Sequence, residues 1–323
     1  MRAVVCTSFA PLDHLVVEER PAPTCRPGQL RVEVAAAGVN FVDALFVQGR
    51  YQIRPPVPFV PGSELAGTVV EVGDGVEGWS VGDRVLANVG LGGFCSEAVV
   101  HATQAVTVPD GIDLPTAATL GQSYCTAWFS LVRRAALRAG QQVLVLGAGG
   151  GVGLAAIDVA AAHGATVLAA ASTEDKRAAA AAMGAHHLID SSTEDVKARA
   201  RELSGGGVDV IVDPVGGPTT PAVLRALAFD GQLLIIGFAS GAIPELPANQ
   251  VLLRNRRVVG VDWGMWALEH PAEQAELLGE VLDAVVDGRL HPVAPTTYPL
   301  EAAATALADL EDRRVVGKVA LIP

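Results

Sequence analysis

The chain has 323 residues, of which 50% are hydrophobic and 18% charged, and it carries a formal net charge of −12. A chain of this length and apolar content can form about two packed hydrophobic cores, so it is not expected to be disordered. The 23 basic residues are scattered apart from Arg254, Arg256 and Arg257, which disfavours a nucleic-acid-binding protein. No apolar run reaches the roughly 18 residues of a membrane span, and the chain does not begin with a secretory pattern. We therefore expect a cytoplasmic protein with neither a nucleic-acid nor a membrane partner.

The first 120 residues contain many short apolar segments separated by glycine and proline. Turn signals include PG at 27–28 and 61–62 and GDG at 73–75. Strands at this spacing predict a small, partly closed β-barrel with one helical turn near 43–47. The predicted strands are 2–6, 30–36, 67–72, 83–87 and 94–100.

From about Thr116 onward, Ala-rich and Leu-rich segments alternate with short Val, Ile and Leu runs. This alternation predicts an α/β fold with a doubly wound parallel sheet. The predicted strands are 143–146, 166–170, 187–189, 208–212, 232–236 and 257–261, and the helices lie near 152–163, 174–183, 193–203, 218–228 and 271–287. A closing strand at 318–322 is expected to return to the barrel. The domains are then 1–120 with 265–323, and 121–264.

A glycine-rich turn follows the first strand of that sheet, in the stretch QVLVLGAGGGVG at 142–153. Glycine at this spacing allows a tight turn, a close approach of the backbone to a pyrophosphate and packing of the next helix on the strand. The candidate phosphate-binding residues are Gly147, Ala148, Gly149, Gly150, Gly151, Val152 and Gly153.

The residues after the second strand of the sheet indicate which nucleotide is bound. An acidic residue there hydrogen-bonds the ribose of NAD and repels the 2′-phosphate of NADP. This chain instead has Ser172 and Thr173, with Lys176 and Arg177 one turn later. Ser172 and Lys176 therefore favour NADPH. The acidic pair at 174–175 opposes this reading unless it is only the first turn of a helix.

Eight segments, in this order along the chain, resemble the medium-chain dehydrogenase/reductase superfamily, and more narrowly its zinc-independent NADPH:quinone oxidoreductase family. They are AAGVNFVDALFVQGRY, PFVPGSELAGTVVEVG, VGDRV, the glycine turn, VDVIVDPVGG, GQLLIIGFASG, VVGVDWG and VVGKVALIP. The resemblance implies a GroES-like barrel domain and a Rossmann NADPH-binding domain. It also implies a homodimer joined through VVGVDWG.

The resemblance also implies that no metal is bound. Zinc alcohol dehydrogenases have Cys where this chain has Asn40, and a His-Glu pair where it has Ser63 and Glu64. Amide and hydroxyl groups are poor zinc ligands. The four cysteines, Cys6, Cys25, Cys95 and Cys125, are far apart and lack CxxC spacing, which indicates reduced thiols.

Functional residues follow from the same resemblance. Asn40, Tyr51 and Tyr124 are expected to be catalytic, with Asn40 beside the nicotinamide and Tyr51 lining the acceptor pocket. Residues expected to approach the cofactor, besides the glycine turn, Ser172 and Lys176, are Thr126, Gly237, Phe238, Ala239 and Lys318.

Three functions agree with these residues. The first is an NADPH-dependent, zinc-independent reductase that transfers hydride to a quinone or another α,β-unsaturated carbonyl acceptor. The second is an enoyl-thioester reductase of acyl-CoA or polyketide type, for which Arg50, Arg54 and the basic residues at 254–257 are candidate contacts. The third is an NADPH-binding sensor or structural protein with little catalysis.

Overall fold

The structure is a computed structural model that describes all residues from Met1 to Pro323. Its strands are β1 (Arg2–Val5), β2 (Val16–Glu19), β3 (Gln29–Val39), β4 (Glu64–Val72), β5 (Arg84–Asn88), β6 (Glu97–His101), β7 (Ala105–Thr107), β8 (Gln142–Leu146), β9 (Thr166–Ala171), β10 (His187–Asp190), β11 (Val208–Asp213), β12 (Leu227–Ile235), β13 (Arg257–Gly260), β14 (Thr296–Pro299) and β15 (Val319–Ile322).

The α-helices are α1 (Phe41–Val47), α2 (Leu114–Ala117), α3 (Leu120–Trp128), α4 (Gly151–Ala162), α5 (Glu174–Ala182), α6 (Val196–Leu203), α7 (Thr219–Val223), α8 (Ala248–Leu252), α9 (Trp263–Glu269), α10 (Pro271–Val286) and α11 (Ala303–Glu311). Short 3₁₀ turns include Leu224–Ala226 and Leu253–Asn255, and a π-helical turn, Phe129–Arg134, follows α3. None of the helices has the length and apolar character that a membrane-spanning segment requires.

The chain divides into two compact units. The first, the barrel unit, comprises Met1–Gln122, His270–Asp287 and Pro292–Pro323. Its seven-stranded sheet has the order β14-β15-β3-β4-β5-β7, with β6 paired to β3. Leu30, Val32 and Val34 of β3 alternate with polar residues and are buried in the core, as a strand with one buried face requires. The predicted return of the closing strand is confirmed, because β15 pairs with β3 in antiparallel register.

The second unit, the nucleotide unit, comprises Ser123–Glu269 and Gly288–His291. Its six-stranded sheet has the order β10-β9-β8-β11-β12-β13, and every neighbouring pair is parallel. Chain order reverses between β8 and β11, which is the switch point at which doubly wound folds bind ligands. The central strands are apolar on both faces, as in β8, where Val143 to Val145 are fully buried. The predicted α/β class with a doubly wound sheet is confirmed.

The largest difference from the predicted elements lies before the fifth strand of this sheet. The helix predicted at 218–228 is only α7 followed by a 3₁₀ turn, and β12 begins at Leu227 rather than at 232. The pairing of β11 with β12 shifts register between Val208 and Val210, and Asp230 has a positive φ of 61°. An Asp-Gly pair within a strand reads as a turn in the sequence, whereas here it forms an irregularity inside a continuous strand.

Candidate functional site

The turn after β8 requires glycine at two positions. Gly147 has a positive φ of 58°, and a Cβ atom on Gly153 would lie 2.3 Å from the Gly147 carbonyl oxygen. Helix α4 follows at once with Gly150 as its N-cap residue, and no side chain caps its first amides. The turn therefore offers backbone amides and the positive end of a helix at the carboxyl edge of the sheet. In proteins generally, uncapped helix amino termini after glycine turns are common binding sites for phosphate groups.

Two basic residues of α5 lie beside this turn and beside the end of β9. A Cβ atom on Gly149 would lie 2.4 Å from Cγ of Lys176, so the lysine stem covers the turn. Arg177 donates to the Ala171 carbonyl at 3.2 Å and pairs with Asp190 at 3.1 Å. Ser172 is exposed at the same edge. Lys176 is therefore the cation of this pair that adjoins the glycine turn, whereas Arg177 is held by Asp190.

Four buried polar side chains and one half-buried lysine lie together in the barrel unit, and we call them the polar cluster: Asn40, Asp43, Ser63, Glu64 and Lys318. Strand pairing brings them together, because β3 lies between β4 and β15 with Gly38 opposite Glu64 and Val39 opposite Val319. Asn40 follows the end of β3, Glu64 begins β4 and Lys318 precedes β15. The sheet register therefore fixes three of the five side chains.

Hydrogen bonds hold the Lys318 ammonium within this cluster. Its Nζ donates to Asn40 Oδ1 at 2.5 Å and to Glu64 Oε1 at 3.0 Å. The Asn40 amide Nδ2 donates to Glu64 Oε1 at 2.8 Å and to Ser63 Oγ at 3.3 Å. The second Glu64 oxygen accepts from the Gln122 backbone at 2.7 Å. The cluster thus positions a cation and an amide with well-defined orientation.

Asp43 is the titratable group of the cluster with the most perturbed pKa. Complete burial, with a smaller contribution from the nearby Glu64 charge, raises the pKa of its carboxyl from 3.8 to about 7, against opposing effects of the Asn40 backbone amide, Lys318 and the Ser63 hydroxyl. Asp43 Oδ2 accepts from the Asn40 amide nitrogen at 2.8 Å. This carboxyl can therefore gain or lose a proton near neutral pH.

The polar cluster does not fit a zinc ion. Asn40 and Ser63 stand at two positions where the zinc enzymes carry ligands, and an amide and a hydroxyl are weak zinc donors. The Asn40 oxygen already accepts from an ammonium group. No group of three or more His, Cys, Asp or Glu side chains anywhere in the chain is arranged to hold a metal ion. The positive charge at this position is that of Lys318.

The nucleotide unit buries Tyr124, which was expected to be catalytic. Its hydroxyl donates to Asp158 Oδ2 at 2.7 Å, and the His291 backbone N–H donates to the same oxygen at 2.7 Å. Burial and the Asp158 charge both raise the pKa of Tyr124. The hydroxyl therefore retains its proton and links α3 to α4, while a catalytic contact of Tyr124 stays a prediction.

The remaining predicted residues lie in three places. Tyr51 follows α1 in the barrel unit, with its ring centroid 4.7 Å from that of Phe46. Thr126 is buried in α3, where its carbonyl accepts from Ser130 Oγ. Gly237, Phe238 and Ala239 follow β12 at the carboxyl edge of the parallel sheet, and the Ala239 amide donates to the Pro214 carbonyl at 3.1 Å.

Two buried aspartates organise the nucleotide unit and were not predicted as functional residues. Asp213 ends β11 and accepts from the Val215 and Gly216 amides at 2.9 and 2.8 Å and from Thr220 Oγ1 at 2.6 Å. It thereby shapes the loop that the 237–239 segment contacts. Asp158 lies in the otherwise apolar helix α4. A lone acidic residue within an apolar helix was the available signal for a buried hydrogen-bonded carboxylate.

Comparisons with known proteins agree with this architecture. Residues 26–110 match the alcohol dehydrogenase GroES-like domain, and residues 151–281 match the family described as zinc-binding dehydrogenase. The quinone oxidoreductase-like protein 2 homolog of Nematostella vectensis is 38% identical over 99% of this chain and 88% of its own length. A mycocerosic acid synthase-like polyketide synthase of Mycobacterium tuberculosis is 36% identical over 91% of this chain, which spans 14% of that protein.

Solved structures give the same result. Mycobacterial Rv1454c in complex with NADPH superposes with a TM-score of 0.93 at 31% identity, and the alignment covers 100% of both chains. Escherichia coli quinone oxidoreductase in complex with NADPH superposes with a TM-score of 0.92 at 28% identity, again covering 100% of both chains. Together with the barrel, the glycine turn and the doubly wound sheet, these likenesses show that the chain belongs to the quinone oxidoreductase family of the medium-chain dehydrogenase/reductase superfamily.

Proposed function

We propose that this protein is an NADPH-dependent reductase that transfers hydride, without zinc, to a quinone or another α,β-unsaturated carbonyl acceptor. The observation that carries the proposal is the half-buried Lys318 ammonium, which donates hydrogen bonds to Asn40 and Glu64 within the polar cluster. The glycine turn supports the nucleotide part of the proposal, and the polar cluster supports the acceptor class.

NADPH fits the nucleotide unit. The glycine turn keeps its close packing against Lys176 and Gly147 only while Gly149 and Gly153 lack side chains, and α4 begins there with uncapped amides. Lys176 beside the turn and Ser172 at the end of β9 suit a 2′-phosphate, while Glu174 and Asp175 lie in the first turn of α5. Both NADPH-bound relatives support the same cofactor.

The polar cluster suits a conjugated acceptor. Bound NADPH supplies a hydride, and reduction of a quinone or enone also requires one proton. As hydride adds to such an acceptor, negative charge develops on its oxygen, which only hydrogen-bond donors need to stabilise. In our proposal Lys318 donates to that oxygen, and Asn40 and Glu64 hold the ammonium in place. Tyr51 lines the acceptor site, and the final proton comes from Lys318 or from water.

An acceptor panel tests the proposal. Stopped-flow oxidation of NADPH by 9,10-phenanthrenequinone, 1,4-benzoquinone, an enone and crotonyl-CoA should show rapid turnover with the quinones or the enone. A preference for crotonyl-CoA would instead support the enoyl-thioester reductase, which the polyketide synthase relative favours. NADPH binding with no oxidation by any acceptor would support a sensor or structural protein.

Lys318→Met tests the role of the ammonium. We expect kcat to fall by about 10²-fold, the effect of removing one oxyanion donor, while the Kd for NADPH stays unchanged. Lys318→Arg should recover part of kcat. The matched control is Lys197→Met, because Lys197 pairs with Asp195 on the surface of the nucleotide unit. A kcat near that of the wild type in Lys318→Met, or a loss only of NADPH affinity, would refute the role.

We also propose a homodimer joined through β13, the edge strand of the parallel sheet. Its residues are largely exposed in the single chain, including Val258 at 39%. An exposed edge strand offers unpaired backbone groups to a second copy. Sedimentation equilibrium would show a dimer, and a monomer at micromolar concentration would contradict the proposal.

A further inference from the structure

Four arginines from separate segments meet at the amino ends of β11, β12 and β13, and we call them the arginine cluster. Arg201 lies near the end of α6, Arg225 in the 3₁₀ turn before β12, Arg254 in the 3₁₀ turn before β13, and Arg256 directly before β13. The glycine turn lies at the opposite, carboxyl edge of the same sheet. The five residues of β8 separate the two edges by about 16 Å.

Backbone carbonyls, and no carboxylates, hold the cluster together. Arg201 Nη1 donates to the Arg225 carbonyl at 3.2 Å. Arg256 donates from Nη1 to the Gln250 carbonyl at 3.0 Å and from Nη2 to the Leu227 carbonyl at 3.4 Å. Burial and the charges of Arg254, Arg201 and Arg225 all lower the pKa of Arg256, and no acidic group opposes them.

Arg256 shows that this arrangement lacks a counter-ion. The residue is 8% exposed, and its Nε is buried without a hydrogen-bond partner. Buried charges in proteins are normally paired, because an unpaired buried charge is strongly destabilising. The chain has 35 acidic residues against 23 basic ones, so a carboxylate partner was readily available by composition. Four unpaired cations at one place therefore point to an external anion.

We propose that the arginine cluster binds a phosphate group, either free or carried by a small phosphorylated molecule, at a site separate from the glycine turn. Guanidinium groups match phosphate oxygens in pairs, and they release bound water more readily than ammonium groups. Arg225 and Arg254 are exposed and provide the approach, while Arg256 supplies the buried charge. The arginine cluster lies at the amino edge of the sheet, opposite the glycine turn. The basic residues at 254–257 therefore do not form a groove for CoA beside that turn.

Calorimetric titration of the full-length protein tests the site. With the glycine turn saturated by NADPH, inorganic phosphate and pyrophosphate are titrated at constant ionic strength. We expect saturable binding of one anion per chain with submillimolar Kd. A lower Kd for pyrophosphate indicates a phosphorylated ligand, and equal Kd values indicate free phosphate. Binding that is absent, or no tighter than that of chloride, means an adventitious ion only and overturns the proposal.

Two variants separate the two phosphate sites. The double substitution Arg225→Ala with Arg254→Ala removes only exposed side chains and should weaken anion binding about tenfold or more, with NADPH affinity unchanged. Arg138→Ala removes one exposed charge of the same unit that is not part of the cluster and should bind as the wild type does. Gly153→Ala should weaken NADPH binding and leave anion binding at the arginine cluster unchanged. Because the two affinities are measured separately, the proposed cofactor and the arginine cluster can fail independently of each other. Unchanged anion affinity in the double variant, with wild-type circular dichroism, would overturn the assignment.

Discussion

Replacement of Asp43 by Asn tests whether the Asp43 carboxyl in the polar cluster ionises near neutral pH. In the folded protein the pKa of Asp43 is about 7, against an ordinary value of 3.8. Because the folded state binds this proton more tightly than the unfolded state, the stability that Asp43 contributes is complete below about pH 4. It declines as the pH rises toward 7 and is constant above it. Asn keeps an oxygen that can accept from the Asn40 amide but cannot ionise.

The expected size of the effect follows from the two pKa values. Their difference, 7 minus 3.8, is about 3 units, and at 1.36 kcal/mol per unit this is a loss of about 4 kcal/mol in the free energy of unfolding across the window. Between pH 4 and pH 7 the wild-type protein should therefore lose about 4 kcal/mol more than Asp43→Asn does. Above pH 7 the variant should be the more stable protein.

Urea unfolding between pH 4 and pH 8, followed by tryptophan fluorescence, measures both proteins. Asp13→Asn provides the control, because Asp13 is an exposed carboxylate of the same unit. Its stability should follow that of the wild type at every pH. If the curves of Asp43→Asn and the wild type run parallel across the window, Asp43 ionises at an ordinary pH and our account of the cluster is wrong.

Three further substitutions test the nucleotide unit. Gly153→Ala places a Cβ atom 2.3 Å from the Gly147 carbonyl oxygen, so fluorescence titration should show NADPH affinity reduced by about tenfold or more; unchanged affinity would show that the turn does not cradle the cofactor. Lys176→Ala should reduce the preference for NADPH over NADH in the ratio of kcat/KM values, and an unaltered ratio would remove Lys176 from phosphate recognition. Tyr124→Phe removes one donor to buried Asp158 and should cost about 1–3 kcal/mol in urea unfolding with little change in kcat. A large loss of kcat at unchanged stability would instead favour a catalytic hydroxyl.

Local patterns were sufficient to predict the nucleotide unit. Each central strand is a short apolar run and each helix a longer Ala-rich segment, so the order of elements determines a doubly wound sheet. The glycine turn was equally visible, because backbone conformation and close packing restrict its positions to one residue type. The barrel strands β3 and β4 extend beyond the predicted segments at 30–36 and 67–72, since sheet pairing and not side-chain pattern decides where a strand ends.

The polar cluster depends on contacts that no local pattern reveals. Asn40, Glu64 and Lys318 meet only because β3, β4 and β15 are neighbours in a particular register. Resemblance to the family identified Asn40 as a site residue and placed Lys318 near the cofactor, but the ammonium's bond to Glu64 required the structure. The arginine cluster is similar, since only the run at 254–257 stood out in the sequence and Arg201 and Arg225 join it through folding.

The late position of Lys318 in the chain has a consequence for biosynthesis. Lys318 lies 278 residues after Asn40 and 254 after Glu64, so the ribosome must add all the intervening residues before the cation can reach its partners. Until then β3 lacks β15 along one side, and the Glu64 carboxylate lacks its ammonium partner. A chain that stops short of residue 318 would lose both at once, so assembly of the polar cluster waits until residues 318–322 have been synthesised.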